Sequence, residues 1–362
     1  MAISVKNGDA HAPAEFDLRS DIVTVPTRAM LDAVANSTYK DDVYREDATT
    51  EDFQAEMAKM LGHEDAIFML SGTMSNQLAL RSLLTQPPYS VLCDSHGHII
   101  HYEAGGVASL SGASIQPVEA LNKKYLTLED ILEKAVLDDY VQYSPTRVIS
   151  LENTLNGVVY PLDEIRRISA FARAHNIKMH LDGARLWDAV VAGGGSLKDY
   201  AQEFDTVNLC FSKGLGAPLG SVLVGSKKTI AQARKVRQSI GGGMHQAGVL
   251  TAMARVSFID TFGGRVDGKG SLLLRGHQNA KHLADLWVRL GGKLLGPTET
   301  CMVFLDLKDI ALSRTELEKM ALDHGLIIKN ERLVVHYQIS DEAVRRIEKL
   351  FAAIFERASV NK

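Results

Sequence analysis

Short apolar, β-rich runs alternate with helical patterns through the first two-thirds of this chain, and few folds accept that order. Residues 66–70 form one run, followed by Ser71-Gly72-Thr73 and a helix-like stretch over 74–84. Further runs lie at 91–93, 147–151, 177–181, 206–211 and 220–225. Between them, residues 163–175 carry Ile165, Ile168, Phe171 and Ala172 on one face, which predicts an amphipathic helix with Asn176 as its C′ residue. Strands separated by helices imply an α/β fold with a mostly parallel sheet covered on both faces. The last third differs. A helix over 272–289 stops at Gly291-Gly292, a strand follows at 302–307, and Ser313 with Glu316 has capping-box spacing for a helix reaching His324. Short strands at 327–329 and 333–337 and a closing helix over 341–357 complete a small α+β domain. The expected division is an N-terminal segment 1–20, a large domain 21–265 and a small C-terminal domain 266–362.

With 362 residues, 46% of them hydrophobic and 23% charged, the chain has material for a sizeable core. Forty basic against forty-four acidic side chains give a net charge of −4, without the basic footprint of a nucleic-acid binder. No apolar run approaches the roughly 20 residues of a membrane helix. The beginning, Met-Ala-Ile-Ser-Val-Lys, lacks a long apolar stretch, and the cysteines Cys93, Cys210 and Cys301 are odd in number. A cytoplasmic protein with free thiols is the expectation.

Three positions could carry chemistry. Lys213 follows a strand and precedes a glycine-rich turn; burial there would free its amine as a nucleophile for a Schiff base. A lone lysine is more often a solvated surface group. Asp182 also ends a strand, at the carboxyl edge where open α/β sheets place ligands. A carboxylate there can pair with the protonated ring nitrogen of pyridoxal 5′-phosphate, although an N-cap is its plain alternative. Ser71, Gly72 and Thr73 lie between a strand and a helix, where amides and hydroxyls make an anion site or simply a cap. The order of phosphate cradle, strand-end Asp and strand-end Lys says more than any one of them. A competing zinc site would use His96, His98 and His101.

With these residues the chain resembles the threonine aldolases, fold type I pyridoxal-phosphate enzymes built like aspartate aminotransferase. The matching stretches include Leu18–Thr24, Asp41-Asp42-Val43-Tyr44, His98 with Tyr102-Glu103-Ala104-Gly105-Gly106, and Leu151-Glu152-Asn153-Thr154. They continue through His180–Arg185, Ser212–Gly216, Gly241–Met244 and Arg332–His336, so nearly the whole chain takes part. The fungal branch, which includes alanine racemases, looks closest. The resemblance implies that Lys213 holds the cofactor, Asp182 meets its ring nitrogen and His98 stacks on its face, with His98 or a water it holds as the base. It also implies that Ser71, Gly72 and Thr73 take the phosphate and that Arg185 lies near the ring oxygen and the substrate. Ser20 and Arg332 would take the substrate carboxylate. Tyr44 and the His245 loop would come from a neighbouring chain in a homodimer or homotetramer.

Three positions depart from the family. His245 stands where relatives have a phosphate-holding arginine, Gln142 where many aldolases have a histidine near the substrate, and Cys301 where asparagine is usual. The expected activity is cleavage of L-threonine or L-allo-threonine to glycine and aldehyde, with amino-acid racemisation as the alternative.

Overall fold

The structure is a computed structural model that describes residues 12–310 and 312–360. The chain divides into two compact units: Pro26–Ser271, and Met1–Val25 together with Leu272–Lys362.

The Pro26–Ser271 unit is built on strands β1 (Asp65–Met69), β2 (Ser90–Asp94), β3 (Ser114–Val118), β4 (Thr146–Glu152), β5 (Lys178–Asp182), β6 (Thr206–Cys210) and β7 (Ser221–Gly225). They lie in the order β1-β7-β6-β5-β4-β2-β3. β7 is antiparallel to both neighbours, while β6, β5, β4, β2 and β3 pair in parallel. The reason is the connection: residues 211–220 hold only turns, and a parallel return needs a crossover of a dozen or more residues. Two antiparallel steps restore the direction, so β1 ends at the same edge as the parallel strands. β2, β6 and β7 are buried along their whole length, which explains their near-continuous apolar runs. Helices alternate with the strands as expected. Leu162–Ala174 buries Ile165, Ile168 and Ala172, and Asn176 follows at φ 54°. The expected α/β fold is present. β3 escaped the sequence pattern because this edge strand is half exposed and carries Gln116 and Pro117.

The other described unit holds β8 (Lys293–Leu294), β9 (Met302–Asp306) and β10 (Arg332–Val334), antiparallel in the order β10-β9-β8. Helices Leu273–Arg289, Arg314–Asp323 and Asp341–Val360 pack on this small sheet, with Trp287, Val303, Leu333, Ile347 and Phe351 in the core. Both halves of the Ser313/Glu316 capping box form. The described residues before Val25 pack with this unit. Leu18 is fully buried; its amide donates to the Ile327 carbonyl (2.8 Å) and its carbonyl accepts from Val334 (2.9 Å). The compact units divide after Val25 and after Ser271, within a few residues of the expected 20 and 265, and residues 1–11 lie outside the described residues. The strand expected at 327–329 is reduced to two single bridges, Asp17 with Ile327 and Lys329 with Arg332. Among the described residues no helix is long and apolar enough to cross a membrane.

Candidate active site

Parallel strands bring their carboxyl ends to one edge, and chemistry-bearing side chains collect there. β4 and β5 end side by side, with Glu152 opposite Asp182 in the register. Lys213 follows β6 within three residues of Cys210, and His98 opens the short helix after β2. Asp182 is buried and fully engaged. Its Oδ1 accepts from the Ala184 amide (3.0 Å) and Asn208 Nδ2 (3.2 Å), and its Oδ2 accepts from Asn76 Nδ2 (2.7 Å). The same Asn76 nitrogen donates to Glu103 Oε1 at 2.8 Å, and that oxygen also meets His98 Nδ1 at 2.7 Å. Gln77 Nε2 holds the other Glu103 oxygen at 2.5 Å.

The polarity of this network follows from its donors. Asn76 gives both amide hydrogens to carboxylates, so its Oδ1 must accept, and it does so from Asn208 Nδ2 (3.2 Å) and His180 Nε2 (3.1 Å). His180 therefore carries its proton on Nε2 and accepts at Nδ1 from the Thr206 hydroxyl (2.9 Å). Burial lowers His180 to about 4, which keeps it neutral.

Charge is distributed unevenly over the edge. Burial alone would raise Asp182, yet the charges of Lys213 and His98 and the Asn76 amide outweigh it and hold this carboxyl below its ordinary range. Burial raises Glu152, and neighbouring Asp182 raises it further. Its Oε2 accepts the His98 backbone amide at 2.9 Å. His98 is also partly buried, which opposes an imidazolium. The Glu103 hydrogen bond and the Asp182 charge win, so His98 sits above the usual histidine value.

The Ser71-Gly72-Thr73 turn caps the helix Gly72–Leu83. Ser71 Oγ accepts from the Met74 amide at 3.1 Å, while the amides of Gly72 and Thr73 open the helix and have no preceding turn to bond. Gly72 is required for space. A Cβ there would come within 2.5 Å of Cys210 Sγ and 3.4 Å of the Asn208 amide that serves Asp182. Gly72→Ala should cost about 1–3 kcal/mol by overpacking. Urea unfolding of the two proteins checks this; equal midpoints would mean that Cys210 yields freely.

The remaining expected residues distribute as follows. Ser20 caps Asp21–Val23, and the Arg332 guanidinium donates to the neighbouring Arg19 carbonyl at 3.0 Å, so these two lie close together within their own unit. Arg185 immediately precedes the helix Leu186–Val191, three residues beyond Asp182. Tyr44 is 78% exposed, and its backbone amide donates to Asp41 Oδ1 at 2.9 Å. His245, also exposed, meets the other Asp41 oxygen through Nδ1. Both are surface groups of this chain. The zinc trio is not assembled: His96 Nδ1 turns to Ser95 Oγ (3.2 Å) and His101 Nε2 to the Ser95 carbonyl (2.7 Å). One ligand atom each of His98, Glu103 and Asp182 lies within 4.8 Å of the others, but hydrogens donated by Asn76 and His98 fill the space between them. The sequence reading assigned no part to Asn76, Gln77, Glu152, His180 or Asn208. Glu103 stood only as one letter of a matching stretch. Asn76 and Gln77 sit one turn into the helix behind Ser71, a position from which a polar side chain can reach the sheet edge.

The beta-eliminating lyase family matches residues 17–310. Aldolase vrtJ of Penicillium aethiopicum is 50% identical over 359 residues, spanning 97% of this chain and 91% of that protein. The alanine racemase TOXG of Cochliobolus carbonum is 44% identical, over 95% of this chain and 88% of the other. A low-specificity L-threonine aldolase of Candida albicans is also 44% identical, over 94% and 90%. Of solved structures, the threonine aldolase of Leishmania major shares the fold with a TM-score of 0.79 at 21% identity, over 94% of this chain and 99% of that one. The chain belongs to the beta-eliminating lyase family, in its threonine aldolase group of fold type I enzymes.

Proposed function

We propose that this protein is an aldehyde-lyase that uses pyridoxal 5′-phosphate to cleave the Cα–Cβ bond of L-threonine and L-allo-threonine, releasing glycine and acetaldehyde. The observation that carries this reading is the buried chain Asp182–Asn76–Glu103–His98, near enough to Lys213 for its charge to act on both Asp182 and His98. The residues fit the cofactor: open helix amides at Gly72 and Thr73 for its phosphate, a buried ionised carboxylate at Asp182 for its ring nitrogen, and the Lys213 amine for its carbonyl. When bound, pyridoxal 5′-phosphate supplies an electron sink for the carbanion left at Cα.

The chain's own residues do the rest. Asp182 keeps a positive ring nitrogen partnered, and the Asn76 and Asn208 amides fix its orientation. With His98 Nδ1 committed to Glu103, Nε2 is the ring atom left to take the β-hydroxyl proton, directly or through one water. Ser20 and Arg332 are the pair for the substrate carboxylate, and a guanidinium offers it two parallel N–H donors. Arg185 stands beside Asp182 in the chain for the ring oxygen and the substrate. Tyr44 and His245 belong to a neighbouring chain's site in a homodimer or homotetramer; their exposure beside Asp41 supports this. Three buried free thiols suit a reducing, cytoplasmic setting.

Racemisation of alanine is the second reading, favoured by the 44% identical racemase. Gln142 gives it no support from within the chain. It stands in the exposed turn before β4, whose other end meets Asp182, and β4 itself runs about 20 Å. One assay separates the two. Purified, cofactor-loaded protein receives L-threonine and L-alanine together, and the products are resolved by enantiomer. Glycine with acetaldehyde and no D-alanine is expected; D-alanine without glycine overturns the proposal.

A further inference from the structure

We propose that Glu103 is a positioning residue for the reaction: it fixes the tautomer and ring orientation of His98, and Asn76 couples this grip to Asp182. The inference rests on the aldolase reading for its kinetic consequence, but its geometry stands on the network itself.

Glu103 is buried, with a side chain wholly shielded from solvent. One oxygen accepts from Asn76 Nδ2 and lies 2.7 Å from His98 Nδ1, and the other accepts from Gln77 Nε2. Two side-chain amides donate to this buried carboxyl, one to each oxygen, so it meets His98 as an acceptor. His98 must then present N–H at Nδ1 and keep Nε2 for chemistry. Gly106 secures this arrangement from behind. A Cβ there would reach 2.6 Å from the Gln77 side chain, so only glycine lets the helix Gly106–Ser111 press Gln77 against Glu103. The charged groups acting on His98 are Glu103 from its own loop, Asp182 from β5 and Lys213 after β6. Glu152 at the end of β4 meets the backbone amide of His98. Asp182 and Lys213 oppose each other in sign, which leaves Glu103 as the hydrogen-bonded counter-charge.

Glu103→Gln is a clean probe because the network can absorb it. Gln77 Oε1 is buried without a partner, so a half-turn of that amide lets it accept from the nitrogen that replaces the second Glu103 oxygen. The substituted amide keeps its remaining oxygen for His98 and Asn76. The variant should fold, with only the counter-charge removed.

Two measurements test the idea on full-length holoenzyme. In protein labelled with 15N-histidine, with the His98 signals identified by their loss in His98→Phe, wild-type Nδ1 should stay protonated while Nε2 titrates above the ordinary histidine midpoint. In Glu103→Gln that midpoint should fall by about one pH unit or more. The acidic limb of kcat/KM for L-threonine should move down with it, and Glu103→Asp, which keeps the charge, should move it less. An unchanged midpoint in folded Glu103→Gln, or a wild-type His98 protonated on Nε2 alone, overturns the proposal. The titration needs no turnover, so it upholds or sinks this inference even if the wild type cleaves no threonine, an outcome that would sink the aldolase reading instead.

Discussion

Lys213→Ala should leave a folded protein that cleaves L-threonine at least about a thousandfold more slowly, equivalent to about 4 kcal/mol of barrier. Lys213 stands in a turn after β6 and is only partly buried, so little packing is lost with it. Its removal also leaves Asp182 and His98 without the nearest amine. Two readings check the expectation: turnover, and a borohydride-stable label on the cofactor-loaded protein, which wild type should carry at residue 213 and the variant should lack. A variant keeping a tenth of wild-type turnover would remove Lys213 from the reaction. Unfolding midpoints measured in parallel separate lost chemistry from lost structure.

Asp182→Asn should have the second largest effect, and through two routes. The isosteric amide cannot neutralise a protonated ring nitrogen, and the loss of one such electrostatic group costs about 10²–10³ in kcat. It also sets donor against donor. Both Asp182 oxygens accept hydrogen bonds, one from Ala184 and Asn208 and the other from Asn76, so either orientation of the new amide meets an N–H head-on. That mismatch should cost about 1–3 kcal/mol of stability near neutral pH. The sign with pH is fixed by linkage. Asp182 titrates below its ordinary range in the folded protein, so its contribution is present above the unfolded value and fades as pH falls through the folded one. The stability gap between wild type and variant should therefore narrow in acid. A gap that widens in acid would show that Asp182 is protonated in the fold.

The architecture was legible because the apolar runs answer to burial on both faces of a sheet. Val207 and Leu209 of β6 and Val222, Leu223 and Val224 of β7 are all fully enclosed. The antiparallel turn of β7 went unread although the eight residues between the runs at 206–211 and 220–225 are too few for a parallel crossover. β3, where Gln116 and Pro117 separate Ile115 from Val118, lacks a continuous apolar run. At the site, strand-end Asp182 and Lys213 could be found by asking where open sheets bind ligands. Asn76, Glu103 and His180 could not, because their roles depend on side chains brought together from a helix, a loop and a strand. His180 reads as an ordinary strand residue until Thr206 and Asn76 are seen on its two nitrogens. The zinc reading failed for the complementary reason. His96 and His101 are near His98 in sequence, but both bond Ser95, and among the described residues the ligand atoms that gather around His98 are those of Glu103 and Asp182.

Leu18 seated between Ile327 and Val334 has a consequence for how the protein is made. A ribosome issues Leu18 more than three hundred residues before the partners that close around it. The central unit can assemble while synthesis continues, but the Leu18 stretch must wait for residues 327–334. During that interval an apolar segment destined for full burial stays available to other chains, which is the situation chaperones relieve. The unit that joins these stretches therefore closes only when both are made, and a chain that stops before Val334 leaves Leu18 without that partner.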